Sequence, residues 1–204
     1  MKRAAVLAAA VLLSSACASK LARTPQTFTI DAPPLRAVPA PGATTVLALE
    51  RADTAPTYAG VELVYRVGEH GIERDPYASF AAPPCWLVTA AIRGYLRNSD
   101  VIRDVVVPGE GIPIDATVEP NVIEIAGDFT KEADPAAVLT LSFRVFAPGV
   151  GAAPPTEVLL KAYTKRLPLS RRTAAAVVEG WNAALGDIMA EFIPDLKAAL
   201  PPRR

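Results

Sequence analysis

The chain has little of the side-chain chemistry from which metal sites and many catalytic sites are built. Its 204 residues include one histidine, His70, and two cysteines, Cys17 and Cys85. A site with two histidines or a cysteine-rich zinc site is therefore excluded. Neither sign of charge is in excess, because 21 Lys+Arg residues balance 21 Asp+Glu residues. This balance argues against a nucleic-acid partner, which requires clustered positive charge to neutralise phosphates.

Motifs for common cofactors and catalytic groups are also missing. The glycine pairs in the loops lack the spacing of phosphate-binding turns, and no Gly-x-Ser-x-Gly elbow occurs. His70 lies near Glu69, Glu73 and Asp75, which could form an acid/base or metal site, but a solvated hairpin tip explains the same residues. Cys85 is expected to be a small buried hydrophobic residue. We expect a protein that is not an enzyme, with no catalytic residue, metal or cofactor.

The N-terminus has the pattern of a secretory signal peptide. Lys2 and Arg3 precede an apolar run over residues 4–13, which is followed by small residues up to Ala16. A ten-residue helical run reaches about 15 Å, whereas the hydrocarbon core of a bilayer is roughly 30 Å thick. The run is therefore too short to span a membrane, and we assign residues 1–16 to a signal peptide. Its removal takes two of the 21 basic residues and no acidic one, so the mature chain is slightly acidic.

The signal peptide ends in Ser15-Ala16-Cys17, which resembles the lipobox of bacterial lipoproteins. In a lipobox the cysteine becomes the acylated N-terminus of the mature protein, and Cys17 is the predicted site of lipid attachment, by palmitate or similar chains. Ordinary signal cleavage near Ala16 is the alternative. Residues 17–26 are read as a lipidated tether. Because Ala18 follows Cys17 where an inner-membrane retention signal would have Asp, we expect the periplasmic face of the outer membrane.

The sequence pattern of residues 27–204 predicts a single domain of the α+β class, or α/β in the loose sense. Hydrophobic residues make up 51% of the sequence, enough for a packed core, and the 20 prolines cluster in connections. Period-two alternation and short apolar runs predict strands at 27–31, 44–50, 61–67, 72–77, 101–107, 123–129, 139–145 and 158–167. Helical stripes predict helices at 83–98 and from about 172, with Pro194 kinking or ending the second. The simplest arrangement is a mixed or antiparallel sheet with both helices packed on one face.

The pattern within the strands predicts which side chains face the core. Ile123, Ile125 and Phe129 are expected to point inward, with Gly127 also at an inward position. Lys161 and Lys165 are expected on the wetter side of the last strand.

The order of features resembles the ABC-type transport auxiliary lipoprotein family, of which the PqiC-like lipoproteins are a branch. The features that carry the resemblance are Cys17, the segment Leu63-Val64-Tyr65-Arg66, the aromatic return through Tyr77 and Phe80, Pro83-Pro84 before a helix, and a C-terminal helix with Trp181. The family usually has Trp where this chain has Phe80. The resemblance covers nearly the whole mature chain.

The resemblance implies a non-enzymatic lipoprotein that works beside an MCE-domain protein in an ABC-type system moving lipids between the envelope membranes. It transfers only Cys17 as a functional residue. Tyr65, Arg66 and Tyr77 are candidate partner-binding residues, because aromatic residues and Arg are enriched in binding hot spots, although sheet packing also explains them. A homo-oligomer is left open. The alternatives are an envelope lipoprotein that regulates or scaffolds another machine, such as a cell-wall synthase, and an enzyme using Cys85 or the acids near His70.

Overall fold

The computed structural model describes residues 24–34, 36, 38–149 and 151–200. Within these ranges the chain forms nine strands and two α-helices. The elements are β1 (Gln26–Phe28), β2 (Thr45–Leu49), β3 (Asp53–Thr54), β4 (Glu62–Val67), β5 (Gly71–Phe80), α1 (Pro84–Asn98), β6 (Ile102–Val106), β7 (Ala116–Phe129), β8 (Ala136–Ala147), β9 (Thr156–Pro168) and α2 (Ala174–Ala199). The signal peptide, Cys17 and most of the tether assigned from the sequence lie outside the described residues.

The long strand β7 organises a single mixed sheet. Along one edge it pairs in parallel with β2, then β3, then β4. Along the other edge it pairs antiparallel with β8, which in turn pairs antiparallel with β9. Strand β6 lies outside β2, whereas β5 and then β1 lie outside β4. The expected α+β class with a mixed sheet is confirmed.

Both helices pack on one face of this sheet and share its main core. Pro84 opens α1, where the missing N–H of proline costs no helical hydrogen bond. The stripes of the two helices interleave with the inward residues of the strands. Pro194 does not end α2, which continues to Ala199, and Leu196 extends its buried face by one turn.

Trp181 fixes α2 to the centre of the sheet. Its indole N–H donates to the carbonyl oxygens of Ala126 on β7 and Val138 on β8, each at 3.1 Å. The ring also packs against Phe80, with centroids 5.4 Å apart. A buried indole N–H without an acceptor would be costly, so these two bonds help to set the position of the helix on the sheet.

The side-chain pattern of β7 differs from the expected alternation at one position. Val122 pairs with Leu141 and Glu124 with Thr140, so Ile123 is an extra residue in a β-bulge. The expectation that Ile123 faces the core is wrong, because the bulge leaves its side chain 40% exposed. Beyond the bulge Ile125 is buried, as expected.

The two lysines of β9 also depart from expectation. Lys161 and Lys165 share the face of buried Tyr163, which is the face covered by α2. Lys161 donates to Asp195 at 2.7 Å, and Lys165 pairs with Glu191. The alternation of the strand places both lysines on the same side as Tyr163, and the carboxylates of α2 pair with them there.

The other face of the sheet, called the helix-free face below, has no α-helix packed on it among the described residues and is partly polar. A small apolar cluster of Val46, Ala48 and Val106 covers one end. Near the other end, buried Asp128 accepts hydrogen bonds from Thr130. No helix in the described ranges has both the length and the apolar character needed to cross a bilayer.

Candidate binding cavity

Two of the candidate residues, Tyr65 and Tyr77, line one surface cavity of about 560 Å³. It lies beside β4 and β5, next to the start of α2. Its lining is formed by Thr24, Gln26, Tyr65, Asp75, Tyr77, Ala78, Phe129, Arg172, Thr173 and Ala174. The cavity therefore combines aromatic walls with one carboxylate and one guanidinium group.

A break in the ladder between β4 and β5 creates the cavity wall. Val64 pairs with Arg74 and Glu62 with Ser79, so residues 75–78 of β5 face a single residue of β4. Pro76 lies within this segment and has no N–H to donate to a neighbouring strand. The segment bulges, and its side chains line the space beside the sheet.

Tyr65 forms the base of the cavity and is held by three neighbours. Its ring stacks on Phe129, with centroids 4.9 Å apart. It also passes close to Gly127, where a Cβ would stand 2.7 Å from the Cδ1 atom of Tyr65. The hydroxyl donates to Oδ2 of Asp75 at 2.7 Å. Burial, followed by the hydrogen bond to Asp75, raises the pKa of Tyr65, so the phenol remains a proton donor.

Asp75 connects the two tyrosines. Its second oxygen, Oδ1, accepts from the backbone N–H of Tyr77 at 2.8 Å, which closes a short turn around Pro76. This turn directs the Tyr77 side chain outward, where it is 45% exposed. Of the two tyrosines, Tyr77 therefore offers the more accessible surface.

Arg172 provides the positive charge of the cavity and was not among the candidates from the sequence. Its guanidinium lies over the Phe129 ring, 4.6 Å from the centroid. The next residue, Thr173, caps α2 by accepting from the backbone N–H of Ala176. The sequence showed Arg171-Arg172 before the last helix, but it could not show that Phe129 lies beneath Arg172.

Arg66, the third candidate, lies on the opposite face of the sheet from Tyr65. Its guanidinium pairs with Glu124 at 2.9 Å, and its side chain is 40% exposed. Exposed Ile123, the bulge residue, directly precedes Glu124. The structure thus divides the three candidates between a cavity on the helix side and a surface on the helix-free side.

Of the residues considered for catalysis, Asp75 lines this cavity, whereas His70, Glu69 and Cys85 do not. His70 is at the tip between β4 and β5, with its side chain 87% exposed and Glu69 3.8 Å away. Cys85 is a free thiol that is partly buried against the main core. No group of three or more His, Cys, Asp or Glu side chains suited to a metal occurs within the described ranges.

Comparison by sequence gives no relatives for this chain. No family model matches it. No curated protein matches it either.

Comparison by structure does give proteins of similar fold. A Xanthomonas campestris protein of the family DUF330 superposes with a TM-score of 0.66 at 18% identity, covering 82% of this chain and 92% of its own. An uncharacterised protein gives the same TM-score at 14% identity, covering 85% of this chain and 99% of its own. A hypothetical protein of Chlamydia trachomatis gives 0.54 at 12% identity, covering 77% of this chain and 98% of its own. At these identities the likeness shows that the chain has the fold of these structures.

Proposed function

We propose that the chain is a non-enzymatic lipoprotein of the outer membrane that serves as a docking component of an MCE- and ABC-type system for lipid transport between membranes. The observation that carries the proposal is the combination of a lipobox-like Cys17 with a domain whose fold is that of a DUF330 protein. The sequence resemblance to auxiliary lipoproteins of ABC-type transport supports the same function.

Anchoring is the first part of the proposal. Acyl chains on Cys17 would hold the chain on a bilayer, because each buried CH₂ contributes about 0.8 kcal/mol. The mature chain is slightly acidic, so no general positive charge assists the lipid.

The two cysteines supply a matched test of anchoring. Cells that express the full chain are given radiolabelled palmitate, and the purified protein is examined for label. We expect label in the wild type and in Cys85→Ala, and none in Cys17→Ala. Equal label in Cys17→Ala, or none in the wild type, would contradict lipid attachment at Cys17.

Docking is the second part, and the helix-free face of the sheet provides a suitable surface. Arg66, which pairs with Glu124, and Ile123, which directly precedes Glu124, are each 40% exposed. An apolar side chain beside a partly exposed Arg is typical of residues that contribute strongly to protein interfaces. We assign the MCE-domain partner to this face.

A further inference from the structure

The cavity beside Tyr65 and Tyr77 contains two opposite charges that do not neutralise each other through a direct ion pair. The carboxylate of Asp75 bonds to the hydroxyl of Tyr65 and the N–H of Tyr77. The guanidinium of Arg172 stacks on Phe129. A ligand that fits these groups carries a positive and a negative charge of its own.

The polar groups have capacity for such a ligand. A carboxylate has about four lone-pair sites, and each oxygen of Asp75 accepts one bond from the residues around it. A primary ammonium group could donate to the remaining sites. The ring of Tyr65, which lines the cavity, adds an aromatic surface that attracts a cation. Arg172, exposed at the rim, has the planar donors that bind phosphate.

The position of the cavity limits where the ligand comes from. Thr24 is part of its lining. Cys17 precedes Thr24 by seven residues, which span at most about 25 Å when fully extended. If Cys17 is acylated, as proposed above, the cavity cannot move far from the surface of the membrane that holds the lipid.

We infer that this cavity binds the zwitterionic headgroup of a membrane phospholipid, a phosphodiester joined to a primary ammonium as in phosphatidylethanolamine. Asp75 and the ring of Tyr65 receive the ammonium group, and Arg172 receives the phosphate. The inference rests on the proposed anchorage for the source of the ligand, and on the cavity for its chemistry.

The test uses the full chain purified in a non-ionic detergent and calorimetric titration with short-chain lipids. Dihexanoyl phosphatidylethanolamine is compared with dihexanoyl phosphatidylglycerol, which lacks the ammonium, and dihexanoyl phosphatidylcholine, whose quaternary ammonium has no N–H. We expect the ethanolamine lipid to bind about tenfold more tightly than either of the others, because each of the others loses a charge-assisted hydrogen bond. Equal affinity for all three lipids would overturn the inference.

Charge variants identify the groups that bind. Arg172→Gln should weaken binding of the ethanolamine lipid about tenfold. Asp75→Asn should lower the affinity for the ethanolamine lipid to that for the glycerol lipid. Arg103 is an exposed arginine on β6, at the far edge of the sheet. Arg103→Gln is therefore the matched control, and it should bind the lipid as the wild type does. If Arg103→Gln weakens binding as much as Arg172→Gln, general electrostatics accounts for the binding and the cavity does not.

A second variant covers the case in which Arg172→Gln does not fold. Arg172→Lys keeps the positive charge near Phe129 but loses the planar pair of donors, and it should weaken binding of the ethanolamine lipid several-fold. Unchanged affinity in folded Arg172→Lys would contradict the assignment of the phosphate to the guanidinium.

The last comparison separates a membrane source from a soluble one. Binding of glycerophosphoethanolamine without binding of the acylated lipid would assign a soluble ligand and overturn the membrane source. Headgroup binding is independent of palmitate labelling. A labelled chain that does not bind the lipid refutes this inference alone, and an unlabelled chain that binds it refutes the anchorage alone.

Discussion

The ring of Tyr65 occupies the space above Gly127, where a Cβ atom would lie 2.7 Å from its Cδ1 atom. Gly127→Ala should therefore displace the ring from the base of the cavity and lower the free energy of unfolding by about 1–3 kcal/mol, as overpacking does. Chemical denaturation measures the loss. In a Tyr65→Ala background the same change should cost much less, and an equal cost in both backgrounds would show that the ring is not what meets the new methyl group.

The two tryptophans offer a matched pair for testing how α2 is held. Trp181→Phe removes the indole N–H that serves Ala126 and Val138, so it should lower the free energy of unfolding by about 1–3 kcal/mol. Trp86 is 55% exposed, and Trp86→Phe should change stability by less than about 0.5 kcal/mol. Urea unfolding followed by circular dichroism measures both. Similar effects of the two substitutions would contradict the anchoring role of Trp181.

Asp128 predicts a dependence of stability on pH. Its burial would raise the pKa, but hydrogen bonds from Thr130 and Arg166 outweigh burial and lower it below the ordinary value of 3.8. A carboxyl group with a lowered pKa stabilises the fold above the unfolded-state pKa, and this stabilisation is lost as the pH falls through the folded-state pKa. Asp128→Asn should cost about 1–3 kcal/mol near pH 6 and progressively less toward pH 3.

The control for Asp128 is the other carboxylate that contacts Arg166. Asp134 lies 2.9 Å from Arg166 but is 53% exposed, so Asp134→Asn should cost less than about 1 kcal/mol. Unfolding curves at several pH values measure both variants. A cost of Asp128→Asn that does not shrink on acidification would refute the pH dependence.

Local patterns were enough to predict the helices and most strands. The apolar stripe from Val177 to Phe192 placed α2 correctly, because a period of 3.6 residues defines a single buried face. The inward position of Gly127 was also predicted. By contrast, the bulge at Ile123 depends on how β7 pairs with β8. The pattern of hydrophobic residues within one strand does not predict that pairing.

The candidate cavity was only partly predictable. Tyr65 and Tyr77 were identified by residue type, and their neighbourhood in one hairpin followed from the turn between them. Phe129 reaches the cavity because β4 pairs with β7, and Arg172 reaches it because α2 docks on the sheet. Both contacts join residues that are distant in sequence. Asp75 was read as part of a solvated tip, because nothing in the sequence showed that Pro76 interrupts the ladder and turns its carboxylate toward Tyr65.

If the partner docks on the helix-free face, a charge introduced on that face should weaken binding, whereas a charge introduced elsewhere should not. Ile123→Asp places a carboxylate in the proposed interface, and it should weaken association with the MCE-domain partner about tenfold or more, because a desolvated charge without a partner is costly. Trp86→Asp is the control, since Trp86 is 55% exposed on α1, on the helix-covered side of the sheet. Affinity, measured with the partner immobilised on a sensor surface, should be unchanged in Trp86→Asp. A loss of equal size in both variants would argue against a specific surface around Ile123.

Co-purification tests the central claim most directly. The full chain is extracted from its own membranes in a mild detergent, captured through a C-terminal tag, and the bound proteins are identified by mass spectrometry. We expect recovery of the cell's MCE-domain protein with the wild type and with Trp86→Asp, and a marked loss with Ile123→Asp. Absence of the MCE-domain protein from captures of palmitate-labelled wild type, with the partner present in the same extract, would contradict the proposed function.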